Sequence, residues 1–197
     1  MADPQAWVAT TCTGLADVLS ARSPTAWDAA SLCEGWRVRH VVAHLTMPVR
    51  LTPEQFGREL AAAGGDFGVL SDAVAVRDGA LGDGLLDSLR SPALHAWQPP
   101  GGGPAGAVSH AVIHALDVTL ALELPPVAPP DAVRSVLEQL ATRGGNAFGL
   151  DLTDRRFEAT DDGWSWGSGE PVRADSAALV ALLSGRTLPD GRTLRGD

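Results

Sequence analysis

The stretch from Ala105 to Leu122 constrains this chain most. It reads as one long helix, largely apolar through Ala107, Val108, Ala111, Val112, Ile113, Ala115 and Leu116, and stopped by Pro125-Pro126. A helix that is apolar around most of its circumference must be covered by other elements. The rest of the chain supplies them. From about Pro4 to Ala21, Trp7, Val8, Thr11, Leu15, Val18 and Leu19 fall at helical spacing, and Ser23-Pro24 ends the run. A second helix begins near Arg37, with Val38, Val41, Val42, Leu45 and Val49 on one face and Pro48 marking a kink or boundary. Pro129-Pro130-Asp131 opens another, carrying Val133, Val136, Leu137 and Leu140, and Gly144-Gly145 close it. Four long striped helices pack most simply as an antiparallel bundle.

Shorter pieces lie between and after them. Thr52-Pro53-Glu54 has the form of a fresh helix start. Residues 64–104 are weakly patterned, cut by Gly64-Gly65, Gly79, Gly82 and Gly84 into short helical pieces such as Leu85 to Arg90, and Gln98 to Pro104 is a loop. Beyond Gly149 the period changes to two: Arg156 to Thr160 alternates, Asp161-Asp162-Gly163 turns, and Trp164 to Gly167 alternates again before a helix from Asp175 to Leu183. The expected fold is mainly α. It is an antiparallel four-helix bundle over residues 1–149 with short extra helices, and a small C-terminal αβ tail over residues 150–197, a strand hairpin plus a helix, packed on it.

Charge and cysteine content exclude several functions. All 15 basic residues are Arg against 24 Asp and Glu, for a net charge of −9. Such a chain has no electrostatic footprint for nucleic acid or anionic lipid. The opening MADPQAW lacks the basic and apolar regions of a signal peptide, and no apolar run reaches the roughly 18 residues of a membrane span. The two cysteines, Cys12 and Cys33, have no CxxC spacing, so neither a disulfide framework nor a Cys-rich zinc site is indicated. A soluble cytoplasmic domain with no nucleic-acid or membrane partner is expected, as a monomer or a homodimer. The absence of Lys and Tyr, with one Asn and one Ile, fits a GC-rich genome.

Chemistry enters through histidine. Four of the five histidines form two i, i+4 pairs, His40/His44 on the second helix and His110/His114 on the long apolar one. Residues four apart share a helix face and can share a metal ion. Two imidazoles from one helix and a third from a facing helix suit Zn²⁺ with an open fourth position. His44 lies beside the Val41/Leu45 stripe, whereas His40 is rotated toward solvent, which makes His44 the better ligand. An HxxxH spacing alone is shared by core and surface histidines. Here the apolar surroundings of His110 and His114 demand partners, because an unsatisfied buried polar group costs about 1–3 kcal/mol. Asp117, three residues past His114, is in reach to orient its ring, and a plain helix-surface charge is the other reading. His95 and Trp36 are candidates to line the site entrance, against a surface role for His95 and a packing role for Trp36. Cys33 reads as a small buried thiol, and Trp164 and Trp166 as cover for the tail strands. Gly101-Gly102-Gly103 lacks the Lys-Ser/Thr of a phosphate loop, and no nucleophile elbow is present.

Trp27 and the run SLCEGWRVRHVVAHL from Ser31 to Leu45 resemble the N-terminal signature of the actinobacterial DinB/YfiT-like, maleylpyruvate isomerase-type family of mycothiol-dependent metalloenzymes. HAVIHALD, from His110 to Asp117, is similar to the family's second metal-ligand helix. Thr160 to Trp164 and Ala177 to Arg186 resemble its small αβ region. The resemblance implies a DinB-like bundle holding one divalent ion, zinc first and nickel or iron as alternatives, through His44, His110 and His114. Mycothiol-dependent isomerases of the family carry Glu where His110 stands, and other DinB-like members use three His. The all-His set removes one negative charge and leaves the ion a stronger Lewis acid. The implied function is a mycothiol-dependent isomerase or S-transferase acting on a small electrophile. A hydrolase on the same three histidines, or a non-catalytic small-molecule-binding bundle, are the alternatives.

Overall fold

A computed structural model describes residues 3–143 and 148–195. Proline sets most of the helix starts, because its fixed φ suits the first turn and its missing N–H is not needed there. It stands in the first turn of α1 (Pro4–Ser20), α2 (Pro24–Trp27), α4 (Pro53–Ala62), α7 (Pro92–Ala96), α8 (Gly103–Thr119) and α9 (Pro130–Thr142). Side-chain caps add to this. Asp3 accepts from the Gln5 amide, and Thr52 and Gln55 bond reciprocally at the head of α4. In α3 (Val38–Arg50), Pro48 lies inside the helix near its end and does not end it. Arg50 in the same last turn bonds the Ala43 carbonyl and the Thr46 hydroxyl.

The apolar helix α8 is central: it packs against α1, α3, α9 and α10 (Ser176–Leu183). Val108, Ala111, Val112, Ala115 and Leu116 are buried there, as the sequence requires. The region 64–104 departs from expectation. It contains not only short pieces, α6 (Asp83–Leu89) among them, but also α5 (Phe67–Asp78), a 12-residue helix followed by a 3-10 turn at Gly79–Leu81. The Asp66 carboxylate caps α5 by accepting from the Gly68 and Val69 amides. Its apolar residues do not form one stripe: Leu70 and Val74 are buried while Val69 and Val76 are exposed. Met47 of α3 and Leu70 and Val74 of α5 form a small second core, separate from the main one, with Phe56 and Leu60 of α4 packed against it.

The tail contains the expected hairpin, β1 (Arg155–Ala159) with β2 (Ser165–Gly167), and a third strand, β3 (Glu170–Ala174). Strand order is β2-β1-β3, with β3 parallel to β1 and Phe157 opposite both Trp166 and Val172. Passing from one edge of β1 to the other takes only Ser168 and Gly169. At Gly169 φ is 115°, and a Cβ there would stand 2.1 Å from the Asp154 carbonyl oxygen, so only glycine fits the crossing. Phe157, Leu179 and Leu182 of the tail belong to the same contiguous core as Leu15, Leu45 and Leu116 of the helices. Gly144-Gly145, expected to close α9, lie outside the described residues. Among the described residues, no helix is long and apolar enough to cross a membrane.

Candidate metal centre

The structure brings His44 of α3 together with His110 and His114 of α8. One ring nitrogen from each lies within 4.8 Å of the other two. Ring centroids are 5.2 Å apart for His44–His110, 4.7 Å for His44–His114 and 4.9 Å for His110–His114, with every pair steeply inclined. The Nε2 atoms of His44 and His110 are 3.3 Å apart. Two ligand nitrogens on a tetrahedral ion, each about 2 Å from it, are separated by roughly the same distance.

The opposite edges of two rings are already engaged. His44 Nδ1 meets the Ser71 hydroxyl at 2.7 Å, and His114 Nδ1 meets the Asp117 carboxylate at 3.0 Å. A ring whose Nδ1 proton is held by an oxygen turns an Nε2 lone pair the other way. With Nδ1 held in this way, the Nε2 atoms of His44 and His114 are free to accept a cation, and His110 Nε2 lies beside that of His44 to share it. The electrostatics agree. Burial pushes both His44 and His110 down, His110 to about 3, and the neighbouring imidazoles act in the same direction. Both rings are therefore neutral, the form a metal requires. The donor set fits a zinc-type ion with one position left open.

Asp117 is 1% exposed and accepts four hydrogen bonds. Arg186 Nε and Nη2 reach its two oxygens at 2.7 and 3.0 Å, and Oδ2 also receives His114 Nδ1 and the Cys33 thiol at 3.0 Å each. Burial acts to raise its pKa, but the bonds from His114 and Arg186 outweigh it and hold the carboxyl well below the usual range. Cys33, His114 and Asp117 also lie close enough to share an ion. The guanidinium of Arg186 occupies that carboxylate, which leaves the three-histidine cluster as the metal candidate.

The remaining expectations divide. Trp36 reaches the cluster: its ring is 5.2 Å from His44, and its N–H donates to Asp72 at 2.9 Å. The loop that carries it turns back at Gly35, where φ is 75°, and the Leu32 amide fastens it to the Asp117 carbonyl. His95 does not reach the cluster; its Nε2 is bonded to the Leu89 carbonyl at 2.8 Å. Trp97, two residues on, takes that place, 5.4 Å from His110. His40 stays at the head of α3, where its Nδ1 accepts the Arg37 amide. Ser71, Phe67 and Arg186 were not foreseen. All three meet the site from distant segments, and only the i, i+4 spacing of Phe67 and Ser71 offered a sequence signal.

The fold and the cluster define a DinB-like helical bundle built around three converging imidazoles. Residues 8–184 match the mycothiol maleylpyruvate isomerase N-terminal domain, and the chain belongs to that family. Its fold is similar to the crystal structure of a mycothiol-dependent maleylpyruvate isomerase, with a TM-score of 0.53 at 14% identity over 96% of this chain and 93% of that chain. A mutant form of such an enzyme matches with a TM-score of 0.49 at the same identity and coverage. No curated protein sequence matches.

Proposed function

We propose that this chain is a metal-dependent enzyme that uses a low-molecular-weight thiol, mycothiol in its family, as an isomerase or S-transferase on a small electrophile. In this reading His44, His110 and His114 hold one divalent ion, zinc before nickel or iron. The observation that carries it is the convergence of three imidazoles, two of them with Nδ1 already bonded to Ser71 and Asp117. An ion bound there supplies a Lewis acid that keeps a thiol ionised at neutral pH.

The chain's own residues prepare the place. Ser71 and Asp117 fix ring orientation, so the nitrogens need not be reorganised when a ligand arrives. Arg186 neutralises Asp117, so the carboxylate orients His114 without adding net charge.

Metal content of the purified protein, beside His44→Ala and His110→Ala, tests the site. Close to one ion per chain is expected, lost in both variants. Absence of an ion, with no stabilisation by added zinc or nickel, overturns the reading. Turnover of an electrophile with and without thiol then tests the reaction: dependence on thiol is expected, and indifference to it makes water the nucleophile and the chain a hydrolase.

A further inference from the structure

Three aromatic rings surround the histidine cluster, each from a different segment. Trp36 comes from the loop before α3, Phe67 from the first turn of α5 and Trp97 from the segment before α8. Their rings lie 5.2 and 6.3 Å from His44 and 5.4 Å from His110. Phe67 is 50% exposed although it lies against a buried imidazole, and Phe56 of α4 backs it at 6.4 Å. A half-exposed phenyl beside a reaction centre is apolar surface available to a ligand.

Apart from the ion the histidines would hold, the side chains at the cluster offer an acid no counter-charge. Recognition of a carboxylate calls for a guanidinium fork. Among the described residues, no hydrogen-bond or ring partner of the three imidazoles is cationic. The arginines nearby are committed elsewhere. Arg186 spends its fork on Asp117 and Ser184, Arg50 is bonded to Asp78 and Ala43, and Arg37 and Arg39, which follow Trp36, both pair with Asp28. What does stand at the rim is acidic: Asp72 holds the Trp36 N–H, and Asp66 caps α5 immediately before Phe67.

We propose that Trp36, Phe67 and Trp97 form an aromatic collar that selects an uncharged electrophile, an α,β-unsaturated carbonyl compound with an aryl or alkyl flank, over one bearing carboxylates. The inference rests on the thiol-dependent reading above. In the reaction the thiol sulfur bonds to the β-carbon, the C=C π pair takes up the thiol's proton at the α-carbon, and no oxidant or reductant is consumed.

The test uses the zinc-loaded full chain, mycothiol and two methyl enones, benzylideneacetone with a phenyl flank and acetylacrylate with a carboxylate in its place. Each kcat/KM is divided by the uncatalysed rate with the same thiol. A preference of about tenfold or more for benzylideneacetone is expected, from the worth of aromatic contacts. Phe67→Ala, at a half-exposed position, raises KM for benzylideneacetone with kcat little changed, and Phe67→Arg shifts the preference toward acetylacrylate. Without thiol, benzylideneacetone quenches tryptophan fluorescence saturably, and less tightly in Phe67→Ala. Equal or better use of acetylacrylate overturns the collar while leaving the thiol-dependent reading standing. Saturable, Phe67-dependent quenching without any turnover preserves the collar and overturns that reading. Quenching that is unsaturable and insensitive to Phe67 overturns the collar whatever the turnover.

Discussion

Two buried carboxylate–guanidinium pairs fasten this bundle, and they differ in what else the carboxylate touches. Asp78, at the end of α5, bonds Arg50 at the end of α3 and Arg77 beside it. Asp117 bonds Arg186 of the tail, but it also holds His114 and the Cys33 thiol. Burial acts to raise both carboxyls. Hydrogen bonds from Arg77 and Arg50 in one case, and from His114 and Arg186 in the other, outweigh burial and lower them. The same ion-pair chemistry thus serves two purposes. At Asp78 it only ties one helix to another, whereas at Asp117 it ties the tail to the bundle and sets an imidazole facing its two neighbours.

Loss of Asp117 has the largest expected effect. Asp117→Asn leaves the Arg186 guanidinium buried without its counter-charge, which costs about 3–5 kcal/mol. It also weakens the hold on His114, and metal affinity drops by about 10–100-fold. Denaturant unfolding of metal-free protein measures the first, and competition against a chelator the second. Unchanged affinity in a destabilised variant would reduce Asp117 to a second Asp78.

Asp78→Asn comes next. A loss of about 3 kcal/mol is expected, at the low end because Arg77 is half in water, with metal affinity nearly unchanged. Acid should act on both pairs with the same sign. Each folded-state pKa lies below the ordinary 3.8, so below that range the unfolded chain binds protons more readily. The stabilisation is complete above the usual carboxylate range and is lost as pH falls through it toward the folded values. Either Asn variant should flatten this acid limb of a stability-against-pH curve.

Ser71 lies on the same helix as Asp78 but reads out differently. Ser71→Ala removes the hydroxyl that holds His44 Nδ1, and about tenfold weaker metal binding is expected. The stability cost is about 1 kcal/mol. A change in stability alone would make Ser71 mere packing.

The contrast between the two pairs also marks what the sequence could tell. Helix starts at Pro4, Pro53 and Pro130 were legible because proline, joined at the first two by a capping side chain, acts within one turn. The histidine pair was legible because i, i+4 spacing is itself a statement of shared face. Helix α5 was not, since Val69 and Val76 point outward while Leu70 and Val74 point in, leaving no clear stripe. Strand β3 was hidden by Glu170-Pro171 and by a two-residue crossing that only glycine permits. Arg186 stands 69 residues from Asp117, and no local pattern joins them.

The smallest effect expected is at Cys33. Its position beside His114 invites a reading as a nucleophile, but its surroundings oppose that. Burial and the adjacent Asp117 charge push the thiol well up, against a weaker pull from Arg186, so it stays protonated at neutral pH. A protonated thiol 3.0 Å from a carboxylate oxygen donates to it, and it is one of four donors there. Cys33→Ala should therefore cost about 0.5–1.5 kcal/mol, since Arg186 and His114 still satisfy Asp117. Cys33→Ser, which keeps a donor, should recover part of that. Both variants should retain the metal and the wild-type rate, and iodoacetamide should label Cys33 in native protein far more slowly than in unfolded protein. Rapid native labelling at neutral pH, or a Cys33→Ala protein that keeps its metal but loses turnover, would place the thiol in the reaction and remove the distinction between a carboxylate that orients and one that activates.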